Sequence, residues 1–122
     1  MNVVIATHGK FAEGIKDSIS MLIGYTKISS FCCFTDQIPD LESINNHLLE
    51  LVSGGEDVIV FTDIMGGSVN TYMTNFIRNY ENIHIIAGFN LPLILEIITS
   101  FDEGKDIKEL VEECISKAKN SI

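Results

Sequence analysis

Residues 58–62 read Val-Ile-Val-Phe-Thr, a continuous run of β-branched and aromatic side chains that ends at Asp63. Such a run predicts a strand that is covered on both faces, as in a parallel sheet between two layers of helices. A similar run, Val3 to Thr7, leads into His8 and Gly9. The two runs therefore put a carboxylate and an imidazole directly after two predicted strands.

Short apolar runs alternate with segments of helical periodicity along the whole chain, which predicts an α/β architecture. The predicted strands cover residues 3–7, 28–34, 58–62 and 83–87. The predicted helices cover residues 11–23, 41–52, 68–80, 91–98 and 107–119. No linker or repeat interrupts this alternation, so we expect a single domain over residues 1–122.

Helix ends are marked by residues with specific backbone preferences. In the first helix, Phe11, Ile15, Ile19 and Leu22 share one face, which we expect to be buried, and Gly24 is the expected stop. Asp40 and Asn90 are the predicted N-caps of the second and fourth helices, and Pro92 suits the first turn of the fourth helix.

The connections predict how the strands are arranged. Right-handed crossovers with helices on both faces require the winding of the sheet to reverse once. The common doubly wound order for four strands is 2-1-3-4, with the reversal between strands one and three. Ligands bind at that crevice, outside the carboxyl ends of the strands. This order brings His8 and Asp63 together, although they lie far apart in the sequence.

Charge and composition limit the partners and the cellular location that we expect for this protein. Seventeen acidic and eight basic residues give a net charge of −9, which argues against nucleic acid or anionic lipid as a partner. No apolar stretch approaches the ~20 residues of a membrane span, and residues 2–6 look like a strand instead of a signal peptide. We therefore expect a cytoplasmic protein. Its three cysteines have no metal-ligand spacing and are expected to be free thiols.

The polar cluster predicts phosphoryl transfer without a metal or cofactor. A neutral His8 ring nitrogen is a suitable nucleophile, and Asp63 can hold the ring in one tautomer. Backbone N–H groups of Gly66, Gly67 and the following helix, with the Ser68 hydroxyl, can bind phosphoryl oxygens. Thr7 is a further candidate for that role. Each of these residues also has a purely structural explanation. His8 can be a polar strand end, Asp63 and the two glycines can form a turn, and Ser68 can be a helix cap.

The two other histidines, His47 and His84, lack acidic or glycine-rich neighbours of this kind, and we expect both to be structural. A zinc site made from all three histidines would need ligands from three distant elements, so no metal site is predicted.

Three segments resemble the EIIA domain of the mannose family of the bacterial phosphotransferase system (PTS). They are Val-Ile-Ala-Thr-His-Gly at residues 4–9, Phe-Thr-Asp-Ile-Met-Gly-Gly-Ser at 61–68 and Ala-Gly-Phe-Asn-Leu-Pro at 87–92. The similarity extends over essentially the whole chain. The His-Gly and Asp-x-x-Gly-Gly-Ser motifs are fairly specific together, whereas either alone would be weak.

The resemblance implies that His8 accepts a phosphoryl group from the carrier protein HPr and passes it to a histidine of EIIB. EIIB then phosphorylates a sugar that enters through the membrane components EIIC and EIID. Asp63 matches the carboxylate beside the family's histidine, and Ser68 matches the serine of its phosphate-binding turn. The family fold adds an antiparallel fifth strand, which is exchanged between the subunits of a dimer.

Some positions depart from the family pattern. Met65 and Val69 stand where relatives often have Trp and Pro, and few residues follow the last predicted helix. Residues 118–122 are nevertheless expected to pair with the edge of strand four, in a homodimer.

Other functions remain open at this stage. The phosphotransfer subunit of dihydroxyacetone kinase resembles the same family, and its acceptor would differ from EIIB. A regulatory module read by another protein is a further alternative. A non-enzymatic nucleotide- or flavin-binding module would need a hydroxyl-rich loop after strand one, where this chain has His8-Gly9-Lys10-Phe11. The sequence does not identify the sugar.

Overall fold

All residues from Met1 to Ile122 are described by the structure, a computed structural model. The chain forms two units, Met1–Gly88 and Phe89–Ile122. The first unit contains β1 (Asn2–His8), α1 (Phe11–Ile23), β2 (Ile28–Cys33), a 3-10 turn (Leu41–Ile44), α2 (Asn45–Ser53), β3 (Val58–Thr62), α3 (Ser68–Ile77) and β4 (Ile83–Ala87). The second contains α4 (Leu91–Ser100) and α5 (Ile107–Lys119). A single domain over residues 1–122 stays a prediction.

The sheet consists of four parallel strands in the order β2-β1-β3-β4, as predicted. The central strands β1 and β3 are buried almost throughout, as their continuous apolar runs indicated. His8 lies opposite Cys33 of β2, and Ala6 lies opposite Thr62 of β3. The reversal of winding between β1 and β3 therefore lies where the sequence predicted it.

Helices cover both faces of the sheet, which confirms the doubly wound α/β fold. On one face, α2 and α3 pack on alternate residues of the strands; the core includes Val4, Ala6, Phe31, Leu48, Val58, Val60 and Met73. The step from β1 to β2 runs in the opposite direction to the later steps, so a right-handed crossover puts α1 on the other face. There α1 packs against β1 and β2.

The buried face of α1 differs from the predicted one at its ends. Ala12 and Ile19 are fully buried, whereas Phe11 and Leu22 are more than half exposed. Successive helical residues are rotated by about 100°. Phe11 and Leu22 consequently lie at the margin of the stripe that runs through Ala12 and Ile19.

Several element ends also differ from the prediction. β2 ends at Cys33 because Phe34 has a positive φ of 60°, which breaks the extended conformation. α3 ends at Ile77, three residues before the predicted end. Asp40 caps as predicted, since its side chain accepts a hydrogen bond from the N–H of Ser43, but the capped element is a 3-10 turn that leads into α2.

The second unit is a pair of helices. The Asn90 side chain caps α4 by accepting a hydrogen bond from Leu93, and Lys117 of α5 contacts Glu96 of α4 at 2.9 Å. Residues 118–122 form no strand within this single chain: α5 extends to Lys119, with Ala118 on its buried stripe, and residues 120–121 form a turn. A strand that is exchanged in a dimer stays a prediction. None of the helices combines the length and the apolar character that a membrane span requires.

Candidate functional site

His8 is the last residue of β1, at the carboxyl edge of the sheet. Gly9 follows with a φ of +62°, a left-handed conformation that glycine adopts easily, and turns the chain toward α1. The Gly9 N–H donates to the carbonyl of Cys33 at 3.0 Å, which attaches this turn to β2. The His8 side chain is about half exposed, with 46% of its surface accessible to a partner.

Asp63 follows β3 and binds His8 twice through one oxygen. Its Oδ2 lies 2.8 Å from the His8 main-chain nitrogen and 2.8 Å from the ring Nδ1. Its Oδ1 accepts a hydrogen bond from the Ile64 N–H at 3.0 Å. Because an ionised carboxylate only accepts hydrogen bonds, Nδ1 must carry a proton. In the neutral ring, the lone pair is then on Nε2, the nitrogen that faces away from Asp63.

The surroundings of Asp63 keep this carboxylate ionised. Partial burial acts to raise its pKa, but the hydrogen bonds from the His8 main chain and ring, together with the charge of His8, bring the pKa below the ordinary value of 3.8. The ionised form therefore stabilises the folded state above that value. This contribution is lost as the pH falls through the lowered pKa.

Ser68 and the start of α3 lie beside Nε2 of His8. Ser68 Oγ is 3.2 Å from His8 Nε2, and Ser68 is the first residue of α3. Ser68 is exposed, and its N–H group has no partner within the chain, as is usual in the first turn of a helix. This N–H group and the positive end of the helix dipole make the position next to Nε2 favourable for an anion.

The two glycines of the turn do not act as the sequence suggested. Gly66 donates its N–H to Asn70 Oδ1 at 3.0 Å, and Gly67 donates to the Ile64 carbonyl at 3.2 Å. Neither N–H is free to bind a phosphoryl group. Gly66 instead supplies a φ of +77°, and a Cβ on Gly67 would lie 2.8 Å from Ile64 Cγ2 and 3.7 Å from His8 Cε1. The glycines thus shape the turn, and the close contact that a side chain at Gly67 would make is with Ile64.

Thr7 faces away from the open side of the site. The residue is fully buried, and its hydroxyl oxygen accepts a hydrogen bond from the Ala12 N–H at 2.8 Å. This contact satisfies an N–H in the first turn of α1. The expectation that Thr7 contacts the phosphoryl group is therefore not supported by its position.

Asn70 is a site residue that the sequence analysis missed. Its side chain is buried in the first turn of α3, where Oδ1 accepts from Gly66 and Nδ2 donates to Thr62 Oγ1 at 3.0 Å. It joins the end of β3 to the glycine turn. The available signal was a polar residue between the apolar Val69 and Met73 on the buried face of the helix.

Phe34 was also missed. Its ring centroid lies 5.4 Å from that of His8, with the ring planes inclined by 33°. Phe34 has the only positive φ among the non-glycine residues, a conformation that costs a bulky residue about 1–2 kcal/mol. The ring is half exposed, so little burial offsets this strain. No local sequence pattern indicates such a conformation at Phe34.

The other histidines have different partners. His47 Nε2 lies 2.9 Å from Ser29 Oγ, and its ring packs edge-on against Phe31. His84 Nε2 lies 3.4 Å from Asp57, which precedes β3 and so lies at the amino edge of the sheet. No group of three or more histidine, cysteine, aspartate or glutamate side chains could hold a metal ion.

Comparison with known families gives this site a context. The family model EIIA-man, described as the PTS system fructose IIA component, matches residues 2–115. The chain belongs to the EIIA-man family. It is a phosphotransfer component of the PTS, as the resemblance of its three motifs indicated.

Individual relatives in the EIIA-man family match over nearly the whole chain. The fructose-specific EIIA component of Bacillus subtilis is 26% identical over 99% of this chain and 84% of its own length. The mannose-specific EIIAB component of Escherichia coli K12 is 25% identical over 98% of this chain, which spans 38% of that longer protein. The crystal structure of a candidate sugar PTS permease from Klebsiella pneumoniae has a TM-score of 0.87 and 31% identity, covering 99% of this chain and 88% of that one.

We predict that Asn70→Leu lowers the free energy of unfolding by about 1–3 kcal/mol, because it removes the donor to the buried Thr62 hydroxyl and the acceptor of the Gly66 N–H. Urea unfolding followed by circular dichroism measures the change. Asn75→Leu is the matched control, since Asn75 is exposed on the same helix. Equal losses in the two variants would show that the Asn70 hydrogen bonds contribute little.

Proposed function

We propose that His8 carries a phosphoryl group on Nε2 as a phosphohistidine intermediate. The observation that carries this proposal is the pairing of Nδ1 with Asp63 at 2.8 Å, which leaves the Nε2 lone pair directed to Ser68 and the start of α3. Nε2 attacks the phosphorus of the donor, and the bond between phosphorus and the donor atom breaks with its electron pair returning to the donor. The proton on Nδ1 stays in place, and Asp63 balances the positive charge that forms on the ring.

The start of α3 stabilises the group in transfer. A phosphoryl group in the transition state spreads negative charge over its three equatorial oxygens, and its transfer depends mainly on positioning and electrostatic stabilisation. The free N–H group of Ser68 and the Ser68 hydroxyl are the donors we assign to these oxygens. Gly66 and Gly67 hold the turn in the shape that presents them.

The partners we propose are the histidine carrier HPr as donor and EIIB as acceptor, in a route that serves the membrane components EIIC and EIID. With these partners, we propose that the reaction takes place in the cytoplasm. Support comes from the family match and from relatives named as EIIA and EIIAB components. The net charge of −9 favours a donor with a basic face, through long-range attraction.

Labelling with phosphoenolpyruvate, enzyme I and HPr tests the donor step. We expect one acid-labile phosphoryl group, on Nε2 of His8 by phosphorus NMR, and none in His8→Ala. His47→Ala is the control and should label normally, because His47 contacts Ser29 and Phe31 instead of the site. Label on Nδ1, or label that persists in His8→Ala, would contradict the assignment.

The test of the acceptor step starts from the labelled protein without the donor components. Addition of an EIIB component of the mannose family should remove the label and phosphorylate an EIIB histidine. If the label passes only to a dihydroxyacetone kinase subunit, that subunit is the acceptor in place of EIIB, and the role of His8 is unchanged.

We predict that Asp63→Asn slows phosphoryl transfer by about tenfold or more without unfolding the chain. Asp63 accepts hydrogen bonds through both of its side-chain oxygens. Asparagine has a single side-chain oxygen, so its NH₂ group would face one of these N–H donors and could not accept its hydrogen bond. Rapid-quench measurement of transfer from phospho-HPr gives the rate. Asp57→Asn is the control, since that carboxylate pairs with His84. Similar rates for the wild type and Asp63→Asn would reduce Asp63 to a turn residue.

We also propose a homodimer. The support is the family resemblance and the position of β4 at the edge of the sheet, where the run from Ile83 to Ile86 offers an apolar strand for pairing. Light scattering coupled to size exclusion should give twice the chain mass of 13.5 kDa at micromolar concentration. A wild-type monomer at that concentration would refute the proposal.

A further inference from the structure

Phe34 provides a third contact to the His8 imidazole. Asp63 holds Nδ1 and Ser68 lies at Nε2, so both of these contacts are made at ring nitrogens. The ring centroids of Phe34 and His8 lie 5.4 Å apart with the ring planes inclined by 33°, so the Phe34 ring makes a tilted contact with the imidazole. The two nitrogen contacts hold the polar edge of the imidazole, and the contact with Phe34 adds an apolar restraint on its rotation.

The backbone places Phe34 at this position despite two unfavourable features. Its φ of 60° is strained, and half of its apolar surface remains in contact with water. The preceding residue, Cys33, lies opposite His8 in the sheet and accepts the Gly9 hydrogen bond, so β2 carries Phe34 directly to the histidine. A strained and exposed aromatic residue beside a reactive group points to a role in function more than in stability.

We propose that Phe34 is a positioning residue that prolongs the lifetime of phosphorylated His8. The inference rests on the function proposed above. With the imidazole restrained, the phosphoryl group on Nε2 stays against the start of α3, where the N–H group and hydroxyl of Ser68 bind its oxygens. The apolar ring also removes part of the water shell beside the imidazole, because it offers water no hydrogen bond.

The competing reaction is hydrolysis of the intermediate. The oxygen of a water molecule attacks phosphorus, the bond between phosphorus and Nε2 breaks, and its electron pair returns to the ring. Both protons of the water molecule stay with the phosphate, which is released as dihydrogen phosphate and then equilibrates with solvent. A carrier must survive this reaction between meeting its donor and its acceptor, so a restraint that slows hydrolysis without blocking partners serves the proposed function.

The test measures hydrolysis without any partner protein. Wild type and variants are phosphorylated chemically with phosphoramidate, the reagent is removed, and the loss of phosphohistidine is followed by phosphorus NMR at neutral pH. We expect Phe34→Ala to lose the group about three to ten times faster than the wild type. Phe34→Tyr keeps the ring and should restore the wild-type rate. Met65→Ala removes another exposed apolar side chain and should also hydrolyse at the wild-type rate.

Two further variants separate positioning from folding. Phe34→Asn and Phe34→Gly suit a positive φ and should keep or raise the unfolding midpoint, yet both lack the ring and should hydrolyse as fast as Phe34→Ala. Hydrolysis at the wild-type rate in these two stable variants would overturn the inference. A wild-type chain that takes up no phosphoryl group on His8 would instead overturn the proposed function, so the two failures are distinguishable.

Discussion

One carboxylate oxygen of Asp63 accepts hydrogen bonds from both the main chain and the ring of His8, at 2.8 Å each. This double contact joins the end of β3 to the end of β1 and decides which ring nitrogen carries a proton. The other parts of the site depend on that choice. Ser68 and the start of α3 are useful to the proposed chemistry only because the lone pair is on Nε2, the nitrogen that they face.

The sheet topology makes this contact available. His8 and Asp63 are 55 residues apart, and they meet because β1 and β3 are neighbours at the point where the winding reverses. Both strands are buried on both faces, so their ends are held by the core while the side chains beyond them stay accessible. The glycine turn after β3 then brings α3 back with its first turn beside the imidazole. Rigid strands therefore position reactive groups that lie on short loops.

The sequence was sufficient for the strand order, the element types and the meeting of His8 with Asp63, because these follow from hydrophobic periodicity and crossover handedness. It was insufficient where a hydrogen-bond partner decides the role. Gly66 and Gly67 matched a phosphate-binding pattern, but their N–H groups are taken by Asn70 and Ile64. Thr7 is adjacent to His8 in sequence, but alternation along the strand turns it toward α1. The positive φ of Phe34 depends on packing that no local pattern encodes.

The Asn70 side chain does for the glycine turn what a main-chain carbonyl does in most turns: it accepts the N–H of Gly66 and is itself held by Thr62. The turn is therefore closed by a side chain, which a mutation can remove, whereas a main-chain carbonyl is always present. A substitution at Thr62 or Asn70 alone breaks these hydrogen bonds, and a matched change at both positions can restore them. We expect these two positions, eight residues apart, to covary among homologues, and their joint replacement to mark lineages in which the glycine turn has been rebuilt.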